Sequence, residues 1–241
     1  MKKILITGAT SGIGRELAIQ LAKKGHKVGL LGRRTERLEQ LAEEIGELAF
    51  YRTLDVTDHE TASVMYQGLV EEMGGMDVMI LNAGVGRDTL LPKWGSDFQT
   101  IEVNVTAFVH GAHFAFNYFR EQKKGHIVGM SSVASHLASG RAASYTASKH
   151  FISNYMTGLR QMGNKLELDL VVSDIRPGFV ESEMTENNKN MFWVATTERA
   201  VQQMVTAIEK EKKRAYITKR WAIIAFIAAI TPQFVWDRLK F

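Results

Sequence analysis

Tyr145 and Lys149 stand one helical turn apart in the segment YTASK, and Ser132 precedes them at the end of the apolar run HIVGMSS. Residues at i and i+4 share a helix face, so a phenol and an ammonium there can act on one small volume. For a bound carbonyl, the Ser132 hydroxyl can orient the oxygen while Tyr145 donates a proton as hydride reaches the carbon. In the reverse direction a tyrosinate removes the proton of an alcohol. A free tyrosine has a pKa of about 10, so the task needs positive charge nearby, which Lys149 can supply. Asn104, inside a helical segment, can anchor a water that links Lys149 to solvent. Each residue also has a plainer reading: a helix cap for Ser131 or Ser132, a satisfied interior amide for Asn104, a surface anchor for Tyr145. Their convergence favours the chemistry.

Such chemistry needs a hydride carrier, and the chain opens with a turn suited to a dinucleotide. TGATSGIG follows a short apolar run and precedes a helical pattern. Gly8, Gly12 and Gly14, with Thr10, Ser11 and Ile13 between them, let the backbone approach a pyrophosphate. The next helix then offers its unpaired N–H groups to the negative charge. The spacing is not GxGxxG, and a glycine turn alone is weak evidence; its strand-to-helix setting strengthens it. A bound nicotinamide cation would add to the positive charge beside Tyr145, and Lys149 can hold the nicotinamide-ribose hydroxyls.

The second apolar run ends in LLGRRTERL. A site selective for NAD usually carries an acid here, whereas arginine accommodates a 2′-phosphate. Gly32, Arg33 and Arg34 occupy the position, and Arg15 can add charge, so the expected cofactor is NADP(H). The alternative is three solvated arginines at helix ends. Asp55, next to Val56, can accept a hydrogen bond from an adenine amino group. In Asn82-Ala83-Gly84, the asparagine can satisfy nearby backbone groups and Gly84 leaves room for the cofactor. An Asx turn and a helix cap are the plainer readings.

The elements that must position these residues alternate along the chain. Strands are expected at Lys3–Thr7, Lys27–Leu31, Leu48–Thr53, Val78–Leu81, His126–Met130, Leu168–Ile175 and Ala215–Thr218. Helices are expected at Ile13–Lys24, Arg34–Glu44, His59–Met73, Phe98–Phe119, Ala143–Gln161 and Glu198–Lys210. The uninterrupted apolar strands argue for a buried parallel sheet with helical crossovers. The predicted fold is an α/β, Rossmann-like doubly wound sheet flanked by helices, with ligands beyond the carboxyl ends of its strands. The 241 residues read as a single domain. Residues 183–197 read as a substrate lid or an ordinary surface loop.

Composition narrows the chemistry. The chain has no cysteine, which removes disulfides, cysteine nucleophiles and thiolate metal sites and fits a cytoplasmic setting. The start MKKILITG is too short and too soon broken for a secretory signal. Thirty Lys and Arg against 26 Asp and Glu give a net charge of +4, without a basic stripe interleaved with aromatics, so nucleic acid is not the expected partner. His110 and His113 lack a third ligand nearby, and no metal is expected.

These motifs together resemble the short-chain dehydrogenase/reductase family over nearly the full length. The resemblance rests on TGATSGIG, Asp55, Asn82–Gly84, Asn104, Ser132, YTASK and Pro177-Gly178. It implies a seven-stranded sheet, a catalytic tetrad of Asn104, Ser132, Tyr145 and Lys149, and NADP preference through Arg33 and Arg15. Where the family commonly has a cofactor-holding threonine, this chain has Ser182, with Ile175 and Val180 near the nicotinamide. Substrate-side candidates are His136, Leu137, Ser144, Phe179, Met184, Phe192 and Trp193. The implied activity is hydride transfer between NADP(H) and a small-molecule carbonyl or secondary alcohol, with NADPH-dependent ketone or aldehyde reduction expected. A cofactor-sensing or structural interaction protein is the alternative outside catalysis. The implied assembly is a homodimer through the long helices beginning near Asn104 and Tyr145.

The C-terminal part departs from the pattern. WAIIAFIAAI at residues 221–230 is apolar, flanked by basic residues and followed by TPQFVWDRLKF. It is too short to span a bilayer. A dimer surface or a hydrophobic substrate wall is an alternative to a peripheral membrane-surface contact for residues 221–241, and burial or contact with another subunit is favoured. The same segment argues against a 3-oxoacyl-thioester reductase, which usually ends in a glycine-rich strand.

Overall fold

Seven apolar runs become seven strands, and all of them lie parallel in one sheet of order β3-β2-β1-β4-β5-β6-β7. In this computed structural model, residues 1–89, 91–186 and 191–238 are described. The strands are β1 Lys3–Thr7, β2 Lys27–Gly32, β3 Ala49–Thr53, β4 Val78–Leu81, β5 Lys124–Met130, β6 Asp169–Pro177 and β7 Arg214–Ile217. The crossovers are α1 Gly12–Lys23, α2 Thr35–Ile45, α3 His59–Met73, a helix running from α4 Trp94–Ile101 into α5 Phe108–Gln122, α6 Ala143–Lys165 and α7 Thr197–Glu209.

The sheet is covered on both faces because its strands alternate apolar side chains up and down. Ile4 and Ile6 of β1 join Leu17 and Leu21 of α1 and Met204 and Val205 of α7. Leu5, between them, faces the other layer with Tyr66 of α3, Phe116 of α5 and Met156 of α6. Strand order reverses between β1 and β4, whose carboxyl ends therefore open a crevice at the switch point. The glycine turn follows β1 and the Asn82 turn follows β4, so both enter that crevice.

Several boundaries differ from expectation. The helix expected over Phe98–Phe119 begins at Trp94 and widens into a π-helical turn at Glu102–Ala107 before α5. The turn contains Asn104, whose side chain bonds to backbone outside the helix, and such widened turns often mark functional positions. β6 continues to Pro177, which stays in register opposite Ile217 of the edge strand. α6 runs on to Lys165, because its polar last turn dilutes the apolar period without ending the helix.

The apolar C-terminal stretch forms α8, Trp221–Ile230, followed by the single turn α9, Gln233–Trp236. A helix apolar all round can offer only one stripe to the body, so Trp221, Ala225 and Ala228 are buried while Ile223, Phe226, Ile227 and Ile230 are exposed. Burial thus holds for one stripe of the segment. Among the described residues no helix is long and apolar enough to cross a membrane. Part of the expected lid, residues 187–190, and the last residues 239–241 lie outside the described residues. The far end of the 183–197 segment is stitched down, since Ala195 bridges Val180 and its N–H donates to the Phe179 carbonyl.

Candidate active site

One cleft of about 440 Å³ runs along the carboxyl edge of the sheet, from the glycine turn to Ser132, Tyr145 and Lys149. Gly8 has φ +70°, and a Cβ there would lie 2.8 Å from the Ala83 Cα, so the turn needs glycine for both conformation and space. Asn82 braces it from the neighbouring strand end: its Nδ2 donates to the carbonyls of Thr7 and Gly8, each at 3.1 Å. Thr7 Oγ1 in turn accepts from the Asn82 and Ala83 N–H groups. The α1 N-terminus has Ser11 as its cap residue with no side-chain cap bond, leaving first-turn N–H groups facing the cleft. That is the setting an anion requires.

Thr10, Ser11, Gly12, Ile13 and Gly14 line this end. Arg34 reaches back across it, donating from Nε and Nη2 to Thr10 Oγ1 at 3.1 and 2.8 Å and to Ser11 Oγ at 2.6 Å. Its Nη1 donates to Glu183 at 3.0 Å, while Arg37 takes the other oxygen of the same carboxylate. Hydrogen bonds from Arg37 and then Arg34 hold the Glu183 carboxyl down at about 2. Arg33 lies 3.7 Å from Asp55. Partial burial acts to raise the Asp55 pKa, but the Thr57 N–H and hydroxyl and then Arg33 outweigh it and hold the carboxyl below its ordinary range. Arg15 turns away from the cleft and pairs with Glu44 on α2. Arg37 and Glu183 were not among the sequence candidates, although Arg37 falls at i+3 from Arg34, on the same face of α2.

Val56, Ala83 and Gly84 line the middle of the cleft, and Pro177, Gly178, Val180 and Ser182 its far wall. Ile175 instead lies fully buried in the core on the α1 side of the sheet. The Ser182 N–H donates to Thr185 Oγ1, which donates to the Val180 carbonyl and so shapes the loop after the Pro-Gly turn.

At the other end, Asn104 is fully buried and clamps the chain after β4. Its Oδ1 accepts from Val85 N at 2.8 Å, and its Nδ2 donates to Val85 O at 2.7 Å and Ser148 Oγ at 3.0 Å. Ser132 Oγ donates to Pro177 O at 3.2 Å and accepts from Ala134 N at 3.1 Å. Burial pushes the Tyr145 pKa up, and the Ser132 hydroxyl opposes the rise. Lys149 Nζ donates to Met130 O at 2.9 Å and lies 5.6 Å from the centre of the Tyr145 ring. Burial brings its pKa down to about 8, with the Asp174 carboxylate opposing the shift. Gly86 lies against Tyr145: a Cβ would fall 2.7 Å from the phenol ring.

Beyond Gly178 an aromatic cluster forms. The Phe179, Phe192, Trp193 and Trp221 rings contact one another at centroid distances of 5.0–6.0 Å. Trp221 comes from α8 and was not among the substrate-side candidates; an apolar helix this far along the chain carries no local sign of returning to the Pro-Gly turn. Met184 lines the cleft, whereas His136 is engaged by Arg176 and Tyr216. Phe179, Phe192, Trp193, Leu137 and Ser144 lie outside the cleft lining.

The residues present fit a nicotinamide dinucleotide. A braced glycine turn and free helix N–H groups lie at one end, a serine, tyrosine and lysine lie at the other, and one cleft joins them. The comparisons agree. Residues 2–193 match the model described as short chain dehydrogenase. An uncharacterized oxidoreductase of Mycobacterium tuberculosis is 34% identical over 245 residues, covering 96% of this chain and 94% of the relative. The closed form of a serine dehydrogenase complexed with NADP+ superposes with a TM-score of 0.76 at 25% identity, over 86% of this chain and 88% of that one. A Burkholderia phymatum short-chain enzyme in complex with NAD has the same fold, with a TM-score of 0.85 at 20% identity over 94% and 92% of the two chains. The chain therefore belongs to the short-chain dehydrogenase family, oxidoreductases that move hydride between a nicotinamide cofactor and a carbonyl or alcohol.

Proposed function

We propose that this chain is an NADPH-preferring reductase of a moderately apolar ketone or aldehyde. The observation that carries the reading is a single cleft with Ser132, Tyr145 and Lys149 at one end and, at the other, Glu183, whose carboxylate is shared by Arg34 in the cleft and Arg37 beside it. The bound cofactor supplies the hydride. Ser132 holds the carbonyl oxygen in place, and Tyr145 gives that oxygen its proton. Partial burial pushes the phenol toward its protonated form, as a proton donor requires. The Lys149 ammonium, held on the Met130 carbonyl, stabilises the phenolate that forms. Asn104 fixes the backbone at Val85, next to Gly86 and the Tyr145 ring.

Preference for the 2′-phosphate is assigned to Arg34 and Arg37. Both already bind an anionic group at the mouth of the glycine turn, in the form of Glu183. The Glu183 carboxylate stands in for the negative charge that a phosphate would bring. Arg33, the residue singled out by sequence, supports the site beside Asp55. Phe179, Phe192, Trp193 and Trp221 give the substrate side an apolar wall.

The test is a panel of ketones and aldehydes with purified protein, each assayed with NADPH and with NADH. At least one apolar member should be turned over, with higher kcat/KM for NADPH. Equal use of both cofactors would remove the phosphate assignment, and tight cofactor binding without turnover across the panel would remove the reductase reading.

A further inference from the structure

Behind the reaction centre lies a buried ion pair that the proposed proton transfer does not use. Asp174 and Arg176 sit two residues apart on β6, so both face the α6 side of the sheet, and they are 0% and 2% exposed. The carboxylate accepts from Arg176 Nε at 2.8 Å, from Ser153 Oγ at 2.9 Å and from Ser131 Oγ, and Arg176 Nη2 lies 2.7 Å away. Arg176 Nη1 donates to Tyr216 Oη at 2.9 Å and contacts His136 Nε2. Burial, with Arg176 next to it, brings the His136 pKa down to about 4, so the ring is neutral near pH 7 and can accept from the guanidinium.

The partners of this pair define its geometry. Ser131 immediately precedes Ser132, and His136 closes the 3₁₀ turn Val133–His136 that follows it. The segment bearing Ser132 is thus pinned at both ends, by Asp174 at Ser131 and by Arg176 at His136. Ser153 lies one turn beyond Lys149 on α6, so the same carboxylate also ties that helix to the Ser132 segment. A buried ion pair seldom adds stability over apolar residues of the same volume, which leaves its place here to be explained by what it holds.

We propose that the Asp174–Arg176 pair is the positioning unit of the reaction centre, locking the Ser132 segment against the helix that carries Tyr145 and Lys149. Its negative end also faces Lys149 and supports the ammonium. The other titratable or charged groups facing the pair or its partners are Tyr145, His150 and Arg160 of α6, His136 of the 3₁₀ turn, and Arg214 and Tyr216 of β7. The inference rests on the reductase reading, and its test keeps the two apart.

The double variant Asp174→Asn/Arg176→Gln removes both charges together and leaves no uncompensated charge buried. Lys149 titration is followed by NMR of protein labelled with ¹³C at lysine Cε, and kinetics are measured with the best substrate of the panel. The expected result is a Lys149 pKa lower by about half a unit or more. With it, kcat should fall about tenfold or more, while cofactor affinity stays within about a factor of two. Ser153→Ala leaves the charges paired and should lower kcat by about threefold with unchanged cofactor affinity, so it carries the test even where the double variant fails to fold. Wild-type kcat in Ser153→Ala or in a folded double variant, or a kcat loss with an unmoved Lys149 titration in a folded double variant, would overturn the positioning role. Undiminished turnover in Tyr145→Phe would instead overturn the reductase reading, whatever the pair does.

Discussion

At the tyrosine end of the cleft, Asn104 and Lys149 are buried and their polar atoms are hydrogen-bonded to backbone carbonyls and N–H groups. At the arginine end, Arg34, Arg37 and Glu183 have side chains between 41% and 52% exposed, and they hold one another. The first arrangement fixes geometry at low dielectric, where a misplaced charge is costly. The second keeps charges in water, where a carboxylate and a phosphate can exchange places at small cost. The proposed function entrusts chemistry to the buried end and cofactor choice to the exposed end. Substitutions should therefore act steeply at the first and gently at the second.

The largest effect is expected from Tyr145→Phe. Removing a positioned proton donor should lower kcat by roughly 10²–10⁴, while NADPH affinity measured by fluorescence titration stays near wild type. A fall in affinity matching the fall in kcat would mean that the phenol binds rather than donates. Gly86→Ala sharpens the same point sterically. The added methyl would press on the Tyr145 ring, where no Cβ fits without movement. A loss of kcat of about tenfold is expected, with the melting temperature little changed; wild-type kcat would show that the ring shifts freely.

The pH profile follows from Lys149, whose pKa is about 8. Its cationic form predominates below that value, so carbonyl reduction should be sustained at neutral pH and decline as pH rises through about 8. Lys149→Met should remove this alkaline limb along with most of the activity. A wild-type profile flat up to about pH 10 would detach the ammonium from the reaction.

The two ends were also unequally legible in the sequence. β1, β4 and the glycine turn are local signals: uninterrupted apolar runs and a small-residue turn that must follow a strand. YTASK is local as well, since one helical turn joins its tyrosine and lysine. The pairing of Arg34 and Arg37 with Glu183 joins residues 146–149 positions apart, and the diversion of Arg15 to Glu44 depends on how α2 packs. Asp174 fell inside an expected strand and Arg176 just beyond its end, and neither stood out for the same reason, because a buried polar pair has no period of its own. Gly86 gave no sign in the sequence of being the neighbour of Tyr145. Trp221 shows the limit most plainly: its composition predicted burial, and only the fold brings it onto Gly178.

At the exposed end, Arg34→Ala should raise KM for NADPH about tenfold. A charge-assisted contact is worth roughly 1.5–3 kcal/mol before solvent screening reduces it. KM for NADH should change less. A similar loss for both cofactors would assign Arg34 to bracing Thr10 and Ser11 rather than to the phosphate.

The smallest effect, and the sharpest test of the exchange, is Glu183→Gln. The glutamate now occupies both arginines, so an incoming 2′-phosphate must displace it. An exposed ion pair is worth about 0.2–1 kcal/mol, and removing that competitor should tighten NADPH binding by about two- to fourfold. NADH, which brings no phosphate to this position, should bind as before. Raising salt should shrink the difference between variant and wild type, because both the ion pair and the phosphate contact are screened. A variant that binds NADPH more weakly would reverse the assignment: Glu183 would then be a clasp that helps hold the cofactor, and the arginine end would be as fixed in its geometry as the tyrosine end.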